Sequence, residues 1–323
     1  MRIRHSILLS VLAAIIISIA VVAQLYLGNA VRGDSPETEV LIYKGNTEAD
    51  VRKALSEANI RTTGFNLLSR MLKYNVRAGR YIFKRGDSQL QIFRRLRNGQ
   101  QDAVRLTIPS VRTAERLAAY LDEHLMMDST SAVDAFRDSI HLFLPNTYEV
   151  WWTVSTDDLL HRMQRESNAF WKGERDKKAE SHGLTRREVI ILASIVCEET
   201  AYRPEMPMVA AMYLHRLEVG MPLQADPTVK FALGDFSLRR IWGKHLTVDS
   251  PYNTYRNKGL PPGPIRIPTV DAIDAVLAAP HTDYLYMCAR EDFSGSHRFA
   301  CTYAEHLQNA KKYVKALNER NIK

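Results

Sequence analysis

Ser6 to Leu27 form a run of 22 residues without a formal charge. A helix needs about 20 apolar residues to cross the hydrocarbon core of a bilayer, so this run reads as a transmembrane helix over 6–27. Arg2 and Arg4 precede it, and Arg32, Asp34, Glu37 and Glu39 follow it. The positive-inside bias keeps residues 1–5 in the cytoplasm and sends the chain beyond Gly28 outside. A cleaved signal peptide, ending near Val21-Val22-Ala23, is the rival reading. Signal h-regions span about 7–15 residues, and this run is longer, so a retained anchor is expected. Both readings export the rest of the chain.

The exported part has a globular composition: the chain is 46% hydrophobic and 25% charged. A mean hydropathy of −0.25 excludes a polytopic membrane protein. Three cysteines, none in CxxC spacing, exclude a disulfide framework and a zinc ribbon. The net charge of +8 is concentrated: Arg61 to Tyr120 holds thirteen Lys/Arg against Asp87, Asp102 and Glu115. Such a window suits an anionic partner or a solvated basic face. Export removes nucleic acid as that partner and leaves an anionic membrane surface or an acidic wall polymer.

After a polar linker over 28–38, short elements alternate. Glu39–Tyr43 and Gly79–Phe83 read as strands. Thr47-Glu-Ala-Asp50 is a capping box for a helix through Ala58, a second helix lies near Gly64–Tyr74, and Leu90–Leu96 forms a third, closed by Asn98-Gly99. Residues 39–103 therefore form a small α+β module. Residues 104–323 form a larger mixed α+β domain, with a strand at Val104–Ile108 and a helical pattern over Asp157–Ser181. A Pro-rich ordered loop follows at Leu246–Pro268. A hairpin is expected around Ser294-Gly295, then a terminal helix over Tyr303–Asn318. In that hairpin Cys288 falls opposite Cys301, so either a disulfide or two free thiols is expected, with Cys197 left buried.

The chemistry concentrates in the larger domain. Thr185-Arg-Arg-Glu188 caps a helix running to Thr200. At 100° per residue, Glu199 lies within about 60° of Leu192, Ile195 and Val196, and Glu198 lies about 100° away. A carboxyl among apolar side chains resists ionisation, as a general acid at neutral pH requires. The plainer reading pairs Glu199 with an arginine such as Arg216. Gln224-Ala-Asp226-Pro227 reads as a helix start with Asp226 as cap. Tyr252, Asn253 and Tyr255 sit on a stiff Pro-rich scaffold suited to stacking on sugars and reading their hydroxyls. Core packing and a rigid surface loop are the plainer readings there. Glu205 and Glu218 read as solvated helix charges, and His297 and His306 as structural hydrogen-bonders that also line a cleft.

Four runs carry a resemblance: Ala193-Ser-Ile-Val-Cys-Glu-Glu-Thr200, Leu223-Gln-Ala-Asp-Pro-Thr-Val229, Ser250-Pro-Tyr-Asn-Thr-Tyr255 and Leu260-Pro-Pro-Gly-Pro-Ile265. In order and spacing the chain resembles the MltG/YceG-like endolytic murein transglycosylases. Leu142-Phe-Leu-Pro-Asn-Thr-Tyr148, Tyr284-Leu-Tyr286 and His297-Arg-Phe299 extend the likeness. The chain departs from the family at Cys197 and Glu198, which replace a Glu-Lys pair, at Asn146 for Asp, and at Ile267 for Asn.

The resemblance implies a single anchor, a LysM-like module and a catalytic domain in the periplasm, held at the cytoplasmic (inner) membrane. It implies peptidoglycan glycan strands as substrate, with cell-wall synthases or division proteins as partners, and no metal or cofactor. Glu199 falls on the family's catalytic carboxyl. It would protonate the oxygen between N-acetylmuramic acid and N-acetylglucosamine. It would then take the proton of the muramyl C6 hydroxyl, leaving a 1,6-anhydro end on nascent strands. Gln224, Asp226, Tyr252, Asn253 and Tyr255 are the expected substrate contacts. The alternatives are a non-catalytic glycan-binding scaffold, or a hydrolase using Asp226 as base.

Overall fold

The computed structural model describes residues 2–238 and 240–320. The chain divides into two compact units: residues up to 106 with 124–127 and 149–155, and residues 107–123, 128–148 and 156 onward.

The first unit begins with α1 (Arg2–Leu27). Its stretch His5–Leu27 is long and apolar enough to cross a membrane. The module that follows packs α2 (Glu48–Glu57), α3 (Thr63–Met71) and α4 (Gln89–Asn98) with the antiparallel pair β1 (Glu37–Ile42) and β2 (Gly79–Lys84). The pairing runs from Glu37 opposite Lys84 to Ile42 opposite Gly79. Strand alternation turns Val40, Ile42, Tyr81 and Phe83 inward onto Leu55, Phe65 and Phe93. The capping box at Thr47 forms as expected, with Asp50 accepting from Thr47 N at 2.7 Å. Gly99 closes α4 at φ 69°, a left-handed conformation that glycine adopts without a Cβ clash. The segment expected as a polar linker is tied down over Gly28–Arg32: Ala30 donates to Asp87 O (2.9 Å) and accepts from Arg61 N (2.8 Å). Two hydrogen bonds and two buried side chains, Ala30 and Val31, outweigh the polarity of the residues after them.

A second two-stranded sheet joins β3 (Ala103–Thr107) to β4 (Thr147–Trp151). The larger unit is mostly helical: α5 (Ala114–His124), α6 (Ser129–Ser139), α7 (Thr156–Trp171) and α8 (Glu174–Ser181) lead to α9 (Arg186–Glu199). The helical pattern over Asp157–Ser181 is broken between α7 and α8, where Gly173 takes φ 95°. Then come α10 (Met206–Glu218), α11 (Asp226–Leu233) and α12 (Val270–Leu277). Val189 to Val196 of α9 are all buried, between α10 and α12. That is why α9 reads as apolar on every side from Val189 to Val196, Ser194 apart.

The hairpin β5 (Tyr286–Ala289) and β6 (His297–Ala300) precedes α13 (Tyr303–Glu319). Its register corrects the expected one: Cys288 faces Arg298, Tyr286 faces Ala300, and all three cysteines are free. The turn is not two residues long. Asp292 Oδ1 accepts from Ser294 N (3.0 Å), and Phe293 and Gly295 both take positive φ, which spreads the connection over Arg290–Ser296.

Candidate active site

α9 carries Glu199 as its final residue. The capping box at its start forms as expected, with Thr185 Oγ1 accepting from Glu188 N at 3.2 Å. Ser194, fully buried, receives Ile265 N at 3.0 Å, which fastens the Pro-rich loop to the middle of α9. Glu199 opens onto a cleft of about 340 Å³ walled by α10, the start of α11, the β5–β6 hairpin and α13. Its Oε1 accepts the hydroxyl of Tyr213 at 2.6 Å. Burial pushes the Glu199 carboxyl up to about 7, and the nearby Asp226 adds to the rise. The Tyr213 hydrogen bond, His297 and Lys230 oppose it. A substantial fraction of Glu199 is thus protonated at neutral pH. Burial in turn holds the Tyr213 phenol well above its ordinary value, so it remains a donor.

Asp226 also lines the cleft. Ala225, not Asp226, is the N-cap of α11, and Asp226 occupies the first helical position. Its carboxylate is therefore not spent on the helix end. Asp226 Oδ1 accepts the Tyr255 hydroxyl at 2.6 Å, and burial with this bond raises the Tyr255 phenol above its ordinary range. Gln224 is exposed in the cleft at φ 50°, a left-handed conformation costly for a side chain with a Cβ. Gln224 N and Ala225 N are held by Thr254 O (3.1 Å) and Thr254 Oγ1 (3.0 Å). Buried Thr254 thus supports the turn that aims Gln224 and Asp226.

Tyr252 and Asn253 stand outside the cleft wall. Asn253 is fully buried, and its amide nitrogen donates to Leu246 O and Val248 O at 2.9 Å each. Its Oδ1 accepts from Tyr255 N at 3.1 Å, so the side chain is consumed in holding the loop. The Tyr252 ring packs on Phe231, centroids 4.7 Å apart, and a Cβ on Gly263 would lie 2.9 Å from its hydroxyl. The structure brings Glu199, Gln224, Asp226 and Tyr255 together and gives Tyr252 and Asn253 scaffold positions.

Three arginines and a buried acid complete the frame. Arg216, buried, lies one turn after Tyr213 on α10 and donates to Leu285 O and Leu223 O at 2.6 Å each. It joins the hairpin to the Gln224 turn and does not salt-bridge Glu199. Glu205, read from sequence as solvated, is buried: it accepts from His297 N (2.6 Å) and faces His297 Nδ1 (3.1 Å). That partner lies 92 positions away, beyond the reach of local pattern. His297 and His306 both line the cleft. Glu198 turns away to Arg112 (2.7 and 3.0 Å) and Arg266 (3.0 Å), binding the end of α9 to two loops. Sequence reasoning missed Tyr213 and named Arg216 only as a partner for Glu199, although a Tyr and an Arg three apart on an apolar helix were a usable signal. Among the described residues no three metal-ligating side chains converge.

The model of the YceG-like family matches residues 40–312. An endolytic murein transglycosylase of Bacillus subtilis is 36% identical over 170 residues, covering 52% of this chain and 45% of that protein. One from Streptococcus pneumoniae is 24% identical over 324 aligned positions, 84% of this chain and 58% of that one. The chain spans about half the length of these curated relatives. A crystal structure of a YceG-like protein from Listeria monocytogenes shares the fold, with a TM-score of 0.55 and 24% identity over 85% of this chain and 99% of that one.

Proposed function

The chain belongs to the YceG-like family, and from that premise we propose that it is an endolytic lytic transglycosylase of peptidoglycan with Glu199 as its acid and base. The observation that carries this reading is a carboxyl raised to about 7 by burial in a cleft whose wall includes the exposed Gln224 and Asp226. Protonated Glu199 gives its proton to the glycosidic oxygen, and the C–O bond to the muramyl C1 breaks. Tyr213 keeps a hydrogen bond on Oε1 as the carboxylate appears, which lowers the cost of ionising a buried acid. Asp226, oriented by Tyr255, places negative charge near the oxocarbenium-like carbon. Glu199 then accepts the proton of the muramyl C6 hydroxyl, whose oxygen closes on C1. The attack is intramolecular and escapes the entropic cost of capturing water.

One carboxyl suffices for this cycle, whereas direct hydrolysis needs a second as base or nucleophile. Asp226 is the one placed to serve, so the two reactions are separated by their products. Digestion of glycan strands in ¹⁸O water decides. A transglycosylase leaves anhydro ends without the label; a hydrolase leaves reducing ends that carry it.

We further propose that α1 spans the cytoplasmic membrane with Arg2 and Arg4 inside and the chain that follows α1 on the outer side. The module of β1, β2 and α2–α4 is taken as LysM-like. In this arrangement the enzyme is tethered where nascent strands emerge, and those strands are its substrate.

A further inference from the structure

α1 is mounted rigidly on the module that follows it. Asn29 bridges to Ser88 and Val31 to Ile60, and Arg32 N donates to Asn59 O at 2.9 Å. Gly64 of α3 lies so close to α1 that a Cβ there would meet Leu25 Cδ2 at 2.6 Å. The module therefore travels with the helix, and whatever surrounds the end of α1 also surrounds α3 and α4.

Between these three helices lies a slot of about 560 Å³. Ile17, Val21 and Leu25 of α1 form one wall, and Leu67, Met71 and Phe93 the other. Met71 is 71% exposed, and Leu67 and Leu72 beside it are also exposed. From Ile17 to Tyr26 the helix rises about 14 Å at ~1.5 Å per residue. That is about half of a ~30 Å hydrocarbon core, the depth of one leaflet. An apolar slot at this depth faces acyl chains.

Its edge is charged. Arg94 and Arg97, three apart on α4, line the slot, and both are exposed. Arg95 between them is committed to Asp102 at 2.6 Å, but neither Arg94 nor Arg97 has an ion pair among the described residues. Two unpaired guanidiniums beside an apolar slot match a phosphodiester joined to an acyl chain. A zwitterionic headgroup would bring a second positive charge to the same place; a net-negative one would not.

We propose that the slot between α1, α3 and α4 binds one anionic phospholipid, its acyl chain against Leu67 and Met71 and its phosphate on Arg94 and Arg97. This rests on the reading that α1 spans a bilayer.

The test uses the full chain reconstituted in mixed phosphatidylcholine and phosphatidylglycerol vesicles. Bound lipid is counted by native mass spectrometry, and membrane integration is followed by carbonate extraction. The proposal expects one phosphatidylglycerol per chain, retained over phosphatidylcholine by about tenfold or more. The double variant Arg94→Gln/Arg97→Gln loses that preference, and Leu67→Trp, which obstructs the wall that the acyl chain lies against and keeps both arginines, loses the lipid. Excess inorganic phosphate leaves the lipid in place; displacement by it would reduce the site to a phosphate site and overturn the proposal. Extraction of the unmodified chain by carbonate would refute the spanning helix itself. Integration with equal retention of both lipids, or unchanged retention in the double variant, would refute the lipid site alone.

Discussion

Tyr213 donates to Glu199 Oε1 over 2.6 Å, and the two residues lie on different helices, α10 and α9. The bond favours the ionised carboxyl, against the burial that raises it. Tyr213→Phe is therefore expected to move the Glu199 carboxyl above about 7. The alkaline limb of the pH–rate profile, where the acid is lost, should shift upward. The plateau rate should fall about tenfold or more, because the carboxylate formed on proton donation loses a hydrogen bond worth about 1.5–3 kcal/mol. A pH–rate series of both proteins checks both changes.

Glu199 also makes stability depend on pH. Its folded-state value, about 7, lies above its ordinary 4.5. Its contribution is thus fully present below about 4.5 and is lost as pH rises through about 7. Glu199→Gln cannot ionise. The variant should match the unmodified protein near pH 4 and exceed it near pH 8, by up to about 3 kcal/mol. Urea denaturation at the two pH values measures the difference.

Asn253 was expected to grip sugar, but its three hydrogen bonds hold the loop around it. Asn253→Ala leaves two carbonyls and one N–H unpaired in a partly buried place. The expected loss is about 2–4 kcal/mol of stability, seen as a lower denaturation midpoint. A variant that kept its midpoint and lost only substrate affinity would return Asn253 to the binding surface.

The hairpin register separates Cys288 from Cys301 by placing Cys288 opposite Arg298. Thiol titration of the denatured, unreduced chain should count three free thiols. A count of one would require the other register.

What was legible in the sequence was local. The caps at Thr47 and Thr185, the apolar face that isolates Glu199 and the glycine stop after α4 each depend on residues within one or two turns. What escaped was long-range. Glu205 looks solvated until His297 arrives from the hairpin 92 positions later. Tyr213 hides in an apolar helix because only the fold brings Glu199 to its hydroxyl. The polar text after Gly28 suggested slack, whereas backbone hydrogen bonds to Asp87 and Arg61 hold it. The hairpin register followed from assuming a two-residue turn, and the Asp292 turn made it longer.

The central claim is that Glu199 cuts glycan by intramolecular transfer. Mass spectrometry of muropeptides, after glycan strands are digested by the protein, by Glu199→Gln and by Asp226→Asn, tests it most directly. The account predicts 1,6-anhydromuramyl ends from the unmodified protein, fewer from Asp226→Asn, and none from Glu199→Gln. Anhydro ends persisting in Glu199→Gln, or reducing ends from the unmodified protein, would contradict it.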